Sequence, residues 1–278
     1  MSEAFKKFDL TGRTAVVTGG SAGLGYYMAR GLMRSGAKVV IAARREQVLK
    51  DSAEKLAAEA PEGSVEYATV DLGDRSSTAA FAESMLEKYR GVDIFVGNAG
   101  LDSFEPVESI NDDVLDKVFQ VNVTANIALT RAFLPHMREQ KWGRFIYSSS
   151  ATSVASSAQD GISVYSASKS AINAFTRATA AETGQDNITA NSLVLGVYET
   201  EMYADVLKGL EAAHGPEAAL GMTRSFSTMT AAGRLGQCEE IEGLIQLLAS
   251  DAGSYITGTN LAADGGMSII LRPNEAVV

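Results

Sequence analysis

The chain has 278 residues, of which 46% are hydrophobic and 21% charged, a composition typical of a globular protein with a large core. Its formal net charge of −10 argues against binding to nucleic acid or to anionic membrane surfaces. One cysteine, Cys238, excludes an intrachain disulfide, and two histidines without a Cys/His cluster offer zinc no ligand set, so no metal is expected. The sequence shows neither a long apolar run nor a signal-peptide pattern, which predicts a cytoplasmic protein.

Short apolar runs alternate with helical patterns along the whole chain. The first predicted strand covers residues 13–17 and leads directly into a glycine-rich stretch. Further strands are predicted at 38–42, 65–70, 93–96, 144–147, 188–194 and 259–262. Helices are predicted at 26–35, 47–60, 76–89, 112–120, 123–140, 164–183 and 238–249. This alternation predicts a single α/β domain over 1–278, with a doubly wound parallel sheet and helices on both faces.

Residues 198–236 interrupt the alternation. The segment is long, contains several glycines and stands outside the regular alternation of strands and helices. A long insertion at the carboxyl edge of a parallel sheet is a candidate lid over a site, and we call this segment the candidate lid. Its methionines Met202, Met222 and Met229 either line an adaptable apolar pocket or pack the segment on the core, and both alternatives remain open.

Residues 18–25, TGGSAGLG, follow a strand and open a helix. Glycine permits a sharp turn and a close approach of the backbone to a pyrophosphate, and the helix N-terminus adds N–H groups and partial positive charge. The strand–turn–helix context favours a bound dinucleotide over an empty tight turn. The candidate binding residues are Thr18, Gly19, Ser21, Gly23, Leu24 and Gly25.

The residues after the second strand select between the two nicotinamide dinucleotides. A carboxylate at this place would accept hydrogen bonds from the ribose hydroxyls of NAD. Arg44 and Arg45 instead offer two guanidinium groups to a 2′-phosphate, which predicts NADP(H) as the cofactor. The alternative is that both arginines are solvated loop residues.

Tyr165 and Lys169 are four residues apart in a predicted helix, so they lie on one helix face. A free phenol has a pKa of about 10. A neighbouring ammonium, or the positive ring of an oxidised nicotinamide, favours the phenolate and makes Tyr165 a usable acid or base. A hydroxyl at the preceding strand end could hold the substrate oxygen. The pair also occurs by chance in many helices, but its place after the fifth strand favours function.

Together these motifs resemble those of the short-chain dehydrogenase/reductase family, over roughly residues 10–266. Residues 18–25 resemble the family's TGxxxGxG motif, and Tyr165 to Lys169 its YxxxK motif. Residues 98–100 resemble the end of its NNAG motif, and residues 264–266 its DGG motif. The resemblance implies a Rossmann-type fold, a small-molecule carbonyl or alcohol substrate, and assembly as a homodimer or homotetramer.

The resemblance also implies roles for individual residues. Tyr165 would exchange the proton, Lys169 would bind the nicotinamide ribose and lower the pKa of the tyrosine, and Ser150 would position the substrate oxygen. Asn122 would hold a water that links Lys169 to solvent. Further cofactor contacts are implied for Asp71, Leu72, Asn98, Ala99, Gly100, Val197 and Thr200.

Three departures from the family pattern stand out. Gly97 replaces the first asparagine of NNAG, and Leu195 replaces the proline that usually precedes Gly196. The spacing from Ser150 to Tyr165 is two residues longer than the common pattern, which indicates an insertion within 151–164. Ser149 and Ser153 remain less favoured alternatives to Ser150.

We therefore predict an NADP-dependent oxidoreductase that transfers a hydride between nicotinamide and a ketone or secondary alcohol, with Tyr165 as general acid/base. The alternatives are an NAD-dependent polyol or sugar-acid dehydrogenase, and a dinucleotide-binding protein without turnover. The two arginines argue against the first alternative, and the set of Asn122, Ser150, Tyr165 and Lys169 argues against the second. The substrate cannot be predicted, because its pocket is built from loops.

Overall fold

One parallel sheet organises the fold. The computed structural model describes residues 3–61, 63–155 and 161–270. Its strands are β1 (Thr14–Thr18), β2 (Lys38–Ala43), β3 (Val65–Thr69), β4 (Ile94–Gly97), β5 (Gly143–Ser150), β6 (Ile188–Leu195) and β7 (Asn260–Ala263). Within these residues they pair in the order β3-β2-β1-β4-β5-β6-β7, all parallel. The order changes direction between β1 and β4, as a doubly wound sheet requires, and confirms the predicted fold class.

Helices follow the strands and cover both faces of the sheet. They are α1 (Glu3–Lys6), α2 (Gly23–Arg34), α3 (Glu46–Ala57), α4 (Arg75–Tyr89), α5 (Asp112–Phe119), α6 (Ala125–Gln140), α7 (Ser163–Thr183), α8 (Glu201–His214), α9 (Pro216–Thr228) and α10 (Glu242–Ala249). The predicted helix 238–249 is a 3-10 turn, Cys238–Ile241, followed by α10. Among the described residues, no helix has both the length and the apolar character needed to cross a membrane.

Two hydrophobic cores lie on opposite faces of the sheet. Successive strand residues point to opposite faces, so neighbours in sequence belong to different cores. Val16 and Phe95 pack on one face with apolar residues of α4, α6 and α7. Val17 and Val96 pack on the other face with residues of α2, α3 and α10. Because the inner strands β1, β2 and β4 are buried on both faces, their sequences are mainly continuous apolar runs rather than alternating ones.

The predicted helices 112–120 and 123–140 form one nearly continuous rod. A π-helical turn, Gln120–Thr124, joins α5 to α6 and carries Asn122. Such a turn holds one more residue than an α-helical turn and therefore changes the direction of the side chains that follow it. The sequence indicated an interruption here but not its geometry.

The candidate lid contains two helices, α8 and α9, which the sequence analysis did not assign. The hydroxyl of Thr200 accepts a hydrogen bond from the backbone N–H of Tyr203 at 3.1 Å and so caps α8. Gly215, with a φ of 85°, ends α8, and Pro216 is the first residue of α9. No residue of α8 is buried, and in α9 only Ala219 is. The pair of helices therefore lies outside both cores.

Gly97, the last residue of β4, makes room for a side chain of α6. A Cβ at Gly97 would lie 2.1 Å from Oδ1 of Asn126 and 3.0 Å from the ring of Tyr147. Asn126 is buried, and its Nδ2 donates a hydrogen bond to the backbone carbonyl of Asn122 at 2.8 Å. The departure from the NNAG pattern at position 97 is thus matched by a carboxamide that reaches the same place from α6.

We expect Gly97→Ala to lower the free energy of unfolding by about 1–3 kcal/mol, because the new methyl group overpacks a closed site. Denaturant unfolding measures the effect. Gly209→Ala in α8 is the matched control: no atom lies within 4 Å of its added Cβ, so stability should stay level or rise slightly. When Asn126→Ala is combined with Gly97→Ala, the double variant should be less destabilised than the sum of the two single effects. Additive changes in the free energy of unfolding would contradict this account.

Candidate active site

A cleft of 660 Å³ opens at the carboxyl ends of the strands. Its walls come from the loops after β1 to β6 and from the candidate lid. It includes the point between β1 and β4 where the strand order changes direction. Open α/β sheets bind their ligands at this kind of switch point.

The glycine-rich turn forms the floor of the cleft after β1. Gly19 has a φ of 66°, and a Cβ at Gly25 would lie 2.2 Å from the carbonyl oxygen of Gly19, so the turn and the start of α2 touch backbone to backbone. Ala22 precedes α2 and makes no side-chain capping bond. The first N–H groups of α2 therefore lack a side-chain acceptor and could bind an anion, as the sequence predicted.

Asn98 joins this turn to the neighbouring strands. Its Nδ2 donates to the carbonyl oxygen of Thr18 at 3.2 Å, and its Oδ1 accepts a hydrogen bond from Ser148 Oγ at 2.9 Å. The Thr18 hydroxyl accepts from the backbone N–H of Asn98 at 3.1 Å and is fully buried. Thr18 therefore supports the turn from behind and does not line the cleft.

Arg44 and Arg45 lie directly after β2 at the far end of the cleft, and both are exposed. Within the described residues neither has an ion-pair partner. A second hollow of 240 Å³ adjoins the cleft and is lined by Arg44, Asp71 and Ser77 among others. Both guanidinium groups are thus available to a ligand at this end.

Ser150 and Tyr165 meet at the opposite end of the cleft. Ser150 is the last residue of β5, Tyr165 lies in the first turns of α7, and their hydroxyl groups share a hydrogen bond. The hydroxyl of Ser149 instead bonds to Ser153 Oγ at 2.9 Å. Of the three candidate serines, Ser150 is the one whose hydroxyl contacts Tyr165. The predicted insertion falls partly on residues 156–160, which lie outside the described residues.

Burial raises the pKa of Tyr165 above its ordinary value. The hydrogen bond from Ser150 acts in the opposite direction, and the negative charge of Asp102 adds to the rise. Asp102 is exposed and lines the cleft. The hydroxyl of Tyr165 is therefore held in its protonated form around neutral pH.

Lys169 lies one turn beyond Tyr165 on the same face of α7, as the spacing predicted. Its Nζ is 5.6 Å from the centre of the Tyr165 ring and donates a hydrogen bond to the carbonyl oxygen of Ser148 at 2.9 Å. The side chain is buried, and this burial lowers the pKa of Lys169 to about 8. The ammonium does not bond to the phenol directly.

Asn122 lies behind the wall of the cleft and is buried. Its Oδ1 accepts from the backbone N–H of Leu101 at 2.7 Å, and its Nδ2 donates to the carbonyl oxygen of Leu101 and to Ser168 Oγ. A Cβ at Gly100 would lie 3.1 Å from Lys169 Nζ and 3.3 Å from Asn122 Oδ1. The carboxamide therefore holds the loop after β4 against α7, next to the lysine.

Apart from Thr18 and Asn122, every predicted site residue lines the cleft. These are Gly19, Ser21, Gly23, Leu24, Gly25, Arg44, Arg45, Asp71, Leu72, Asn98, Ala99, Gly100, Ser150, Tyr165, Lys169, Val197 and Thr200. Met202 and Met222 line it too, whereas Met229 does not. Sequence analysis missed Asp102, Tyr203, Val206 and Phe226. The i, i+4 spacing of Met202 with Val206, and of Met222 with Phe226, was the signal that could have indicated the last two.

The buried lysine gives a pH-dependent stability that can be measured. The pKa of Lys169 is about 8 in the folded protein, and its ordinary value is 10.5. Between these two pH values the unfolded chain still holds the lysine proton, whereas the folded chain has released it. Stability should therefore rise with pH across this window, by about 1.4 kcal/mol per unit, and the cost of the buried charge is fully present below it.

Denaturant unfolding of the wild type and of Lys169→Met at several pH values isolates this contribution, because titrating groups that do not interact with Lys169 cancel in the difference. We expect the free energy of unfolding of the wild type to rise relative to that of the variant from about pH 8 to 10.5. A difference that stays constant with pH would contradict the assigned burial.

Comparisons with known proteins agree with this geometry. Residues 13–211 match the family model described as short chain dehydrogenase. A 3alpha-hydroxysteroid dehydrogenase of Mediterraneibacter gnavus is 30% identical over 256 residues, which cover 92% of this chain and 97% of that protein. An L-rhamnose 1-dehydrogenase (NADP(+)) of Thermoplasma acidophilum is 34% identical over 271 residues, which cover 95% of this chain and 99% of that protein.

A solved structure extends the likeness to three dimensions. The crystal structure of a gluconate 5-dehydrogenase from Burkholderia cenocepacia, in complex with NADP and tartrate, has a TM-score of 0.83 and 28% identity to this chain. The match covers 97% of this chain and 100% of that one. With the family model matched over most of its length and the same fold in its neighbours, the chain belongs to the short-chain dehydrogenase/reductase family of oxidoreductases.

Proposed function

We propose that the protein is an NADP(H)-dependent oxidoreductase that interconverts a ketone and a secondary alcohol. The observation that carries the proposal is the meeting of Ser150, Tyr165 and Lys169 in a cleft whose other end holds a glycine-rich turn and two unpaired arginines. A bound nicotinamide ring would supply or accept the hydride, and the chain itself would bind, orient and exchange the proton.

Tyr165 is the proposed proton donor in the direction of reduction. Burial and the charge of Asp102 raise its pKa, so the phenol carries its proton around neutral pH. The hydroxyl of Ser150 shares a hydrogen bond with it, and both hydroxyls can bond to one substrate oxygen. In the direction of oxidation the phenolate is needed, and a nearby positive charge favours it.

Lys169 is the proposed source of positive charge behind Tyr165. One of its three N–H donors is used by the carbonyl oxygen of Ser148, which leaves two for the hydroxyls of a bound ribose. Because its pKa is about 8, the ammonium form is the main one at neutral pH. The residue thus combines a binding role with an electrostatic one.

For Asn122 we propose a positioning role. Its carboxamide is engaged by Leu101 and Ser168, so a water that relays protons from Lys169 would bind to the backbone carbonyl of Asn122. That carbonyl accepts from Asn126 Nδ2 and has a second lone pair. Asn126 therefore orients the same group.

The preference for NADP(H) is proposed from the residues after β2. Arg44 and Arg45 are exposed, unpaired and adjacent to a hollow that continues the cleft. Among similar proteins, the rhamnose dehydrogenase carries NADP(+) in its name and the gluconate dehydrogenase was crystallised with NADP. Guanidinium groups bind phosphate through two parallel charge-assisted hydrogen bonds, which suits a 2′-phosphate.

The candidate lid is proposed to cover the substrate. It lies outside both cores, its two helices pack on each other, and several of its side chains line the same cleft as Tyr165. A segment that is held mainly by its own contacts can change position at small cost. It remains part of the single domain.

We expect Tyr165→Phe to lower kcat at least about a hundredfold, because it removes the proton donor and keeps the ring. The Kd for NADPH, measured by fluorescence titration, should stay nearly unchanged. Tyr255→Phe is the matched control, since Tyr255 is fully exposed and does not line the cleft. A Tyr165→Phe variant with most of the wild-type rate would refute the assignment of the proton donor.

We expect Arg44→Ala to lower the ratio of kcat/KM for NADPH to kcat/KM for NADH at least about tenfold, because a charge-assisted bond to the 2′-phosphate is lost. Combination with Arg45→Ala should lower it further. Lys55→Ala controls for net charge, since this exposed residue of α3 does not line the cleft. An equal ratio in the Arg44→Ala and Lys55→Ala variants would argue for NAD or for another phosphate contact.

A further inference from the structure

The candidate lid gives the cleft that contains Tyr165 an uncharged wall, which we call the substrate wall. Apart from Thr200, which caps α8, six side chains of the candidate lid line the cleft, and none of them belongs to a charged residue type. They are Tyr198, Met202, Tyr203, Val206, Met222 and Phe226. The wall is therefore built from thioethers, aromatic rings and one aliphatic group.

The charged residues of the candidate lid point elsewhere. In α8, Met202 and Val206 are one turn apart on the cleft side, whereas Asp205 and Lys208 form an exposed ion pair at 3.2 Å and do not line the cleft. The helix is thus amphipathic although none of its residues is buried. Its apolar side faces the cleft instead of a core.

Large parts of this apolar side are accessible. Met202 is 73% exposed and Val206 46% exposed. The hydroxyl of Tyr203 is engaged with Thr223 Oγ1 at 3.0 Å, and its ring packs edge-on against Phe226. Tyr203 can therefore offer its ring while its hydroxyl stays paired within the candidate lid. Accessible apolar surface inside a cleft is surface that an apolar ligand covers favourably.

The charges that do line the cleft argue against an anionic substrate. Among the described residues, the basic lining groups are Arg44 and Arg45 after β2, Lys117 on α5, and Lys169, which is bonded to Ser148. Lys117 shares a helix face with Val121, whose side chain lies near Gly73 on the β3 side. Asp102 also lines the cleft, and its carboxylate is close enough to Tyr165 to raise the pKa of the phenol.

From these observations we propose that the enzyme acts on uncharged, mainly apolar ketones or secondary alcohols and discriminates against substrates that carry a carboxylate, such as sugar acids. The proposal rests on the proposed function and narrows its substrate class. Apolar area on the substrate wall provides affinity, and Asp102 repels an anion that approaches Tyr165.

Two substrate pairs test the proposal by NADPH oxidation in the wild-type protein. Levulinic acid and methyl levulinate differ in charge, and we expect the ester to have at least about tenfold higher kcat/KM. Ethyl methyl ketone and hexyl methyl ketone differ in apolar area. The larger ketone should be favoured by up to about fourfold for each methylene that contacts the wall.

Variants test whether the substrate wall and Asp102 cause these substrate preferences. Val206→Asp places a charge on the substrate wall and should lower kcat/KM for hexyl methyl ketone at least about tenfold. Leu220→Asp is the matched control, because Leu220 is 47% exposed on α9 and does not line the cleft. Asp102→Asn should raise the ratio of acid to ester kcat/KM, and any change in the pKa of Tyr165 cancels in that ratio.

The possible results distinguish a wrong substrate class from a wrong proposed function. Equal or better turnover of levulinic acid, or equal rates in Val206→Asp and Leu220→Asp, would overturn the substrate class and leave the proposed function intact. Failure to reduce any carbonyl, including the small reactive diketone diacetyl, beside measurable NADPH binding would overturn the proposed function itself. If Val206→Asp does not fold, as judged by circular dichroism, the two substrate pairs measured with the wild-type protein still test the proposed substrate class.

Discussion

The carboxamide of Asn98 connects three strand ends, and the geometry of the cleft depends on it. Its Nδ2 donates to the end of β1 at Thr18, and its Oδ1 accepts from Ser148 on β5. A Cβ at Gly25 would lie 2.4 Å from that Nδ2, so the glycine makes room for Asn98. Ser148 also holds Lys169 through its carbonyl oxygen. The floor that would bind a dinucleotide and the wall that carries the lysine are therefore set by one partly buried hydrogen-bond network.

Local patterns were sufficient to predict the sheet, the glycine-rich turn and the shared face of Tyr165 and Lys169. Each of these depends on residues that are close in sequence or on a simple period. The partners of Asn122 could not be predicted in the same way, because its carboxamide contacts Leu101 and Ser168, which are distant in sequence. The role of Gly97 could not be predicted either. In the sequence it only removes the first asparagine side chain of the NNAG pattern, whereas in the structure it leaves the space that the side chain of Asn126 occupies.

The helices of the candidate lid were missed for a different physical reason. Helices of this sheet are recognised by an apolar stripe that packs on a core, but α8 buries no residue. Its apolar residues face a cleft, so the stripe is short and interrupted. Gly215 and Pro216 suggested an irregular segment, whereas they mark the end of one helix and the start of the next. Segments that line a cleft are selected for what they bind, which weakens the patterns that reveal structure.

The two perturbed pKa values of the site have one common cause. Burial favours the neutral form of each group, so it raises the pKa of Tyr165 and lowers that of Lys169. Asp102 adds to the rise at the tyrosine because a second negative charge beside a phenolate is unfavourable. Under the proposed function, this arrangement holds the proton on the phenol until a substrate oxygen gains negative charge, and it therefore favours donation over abstraction. Under the proposed substrate class, the carboxylate that disfavours anions near Tyr165 is also one of the groups that raise the pKa of the phenol, so Asp102 would act on both substrate choice and proton transfer.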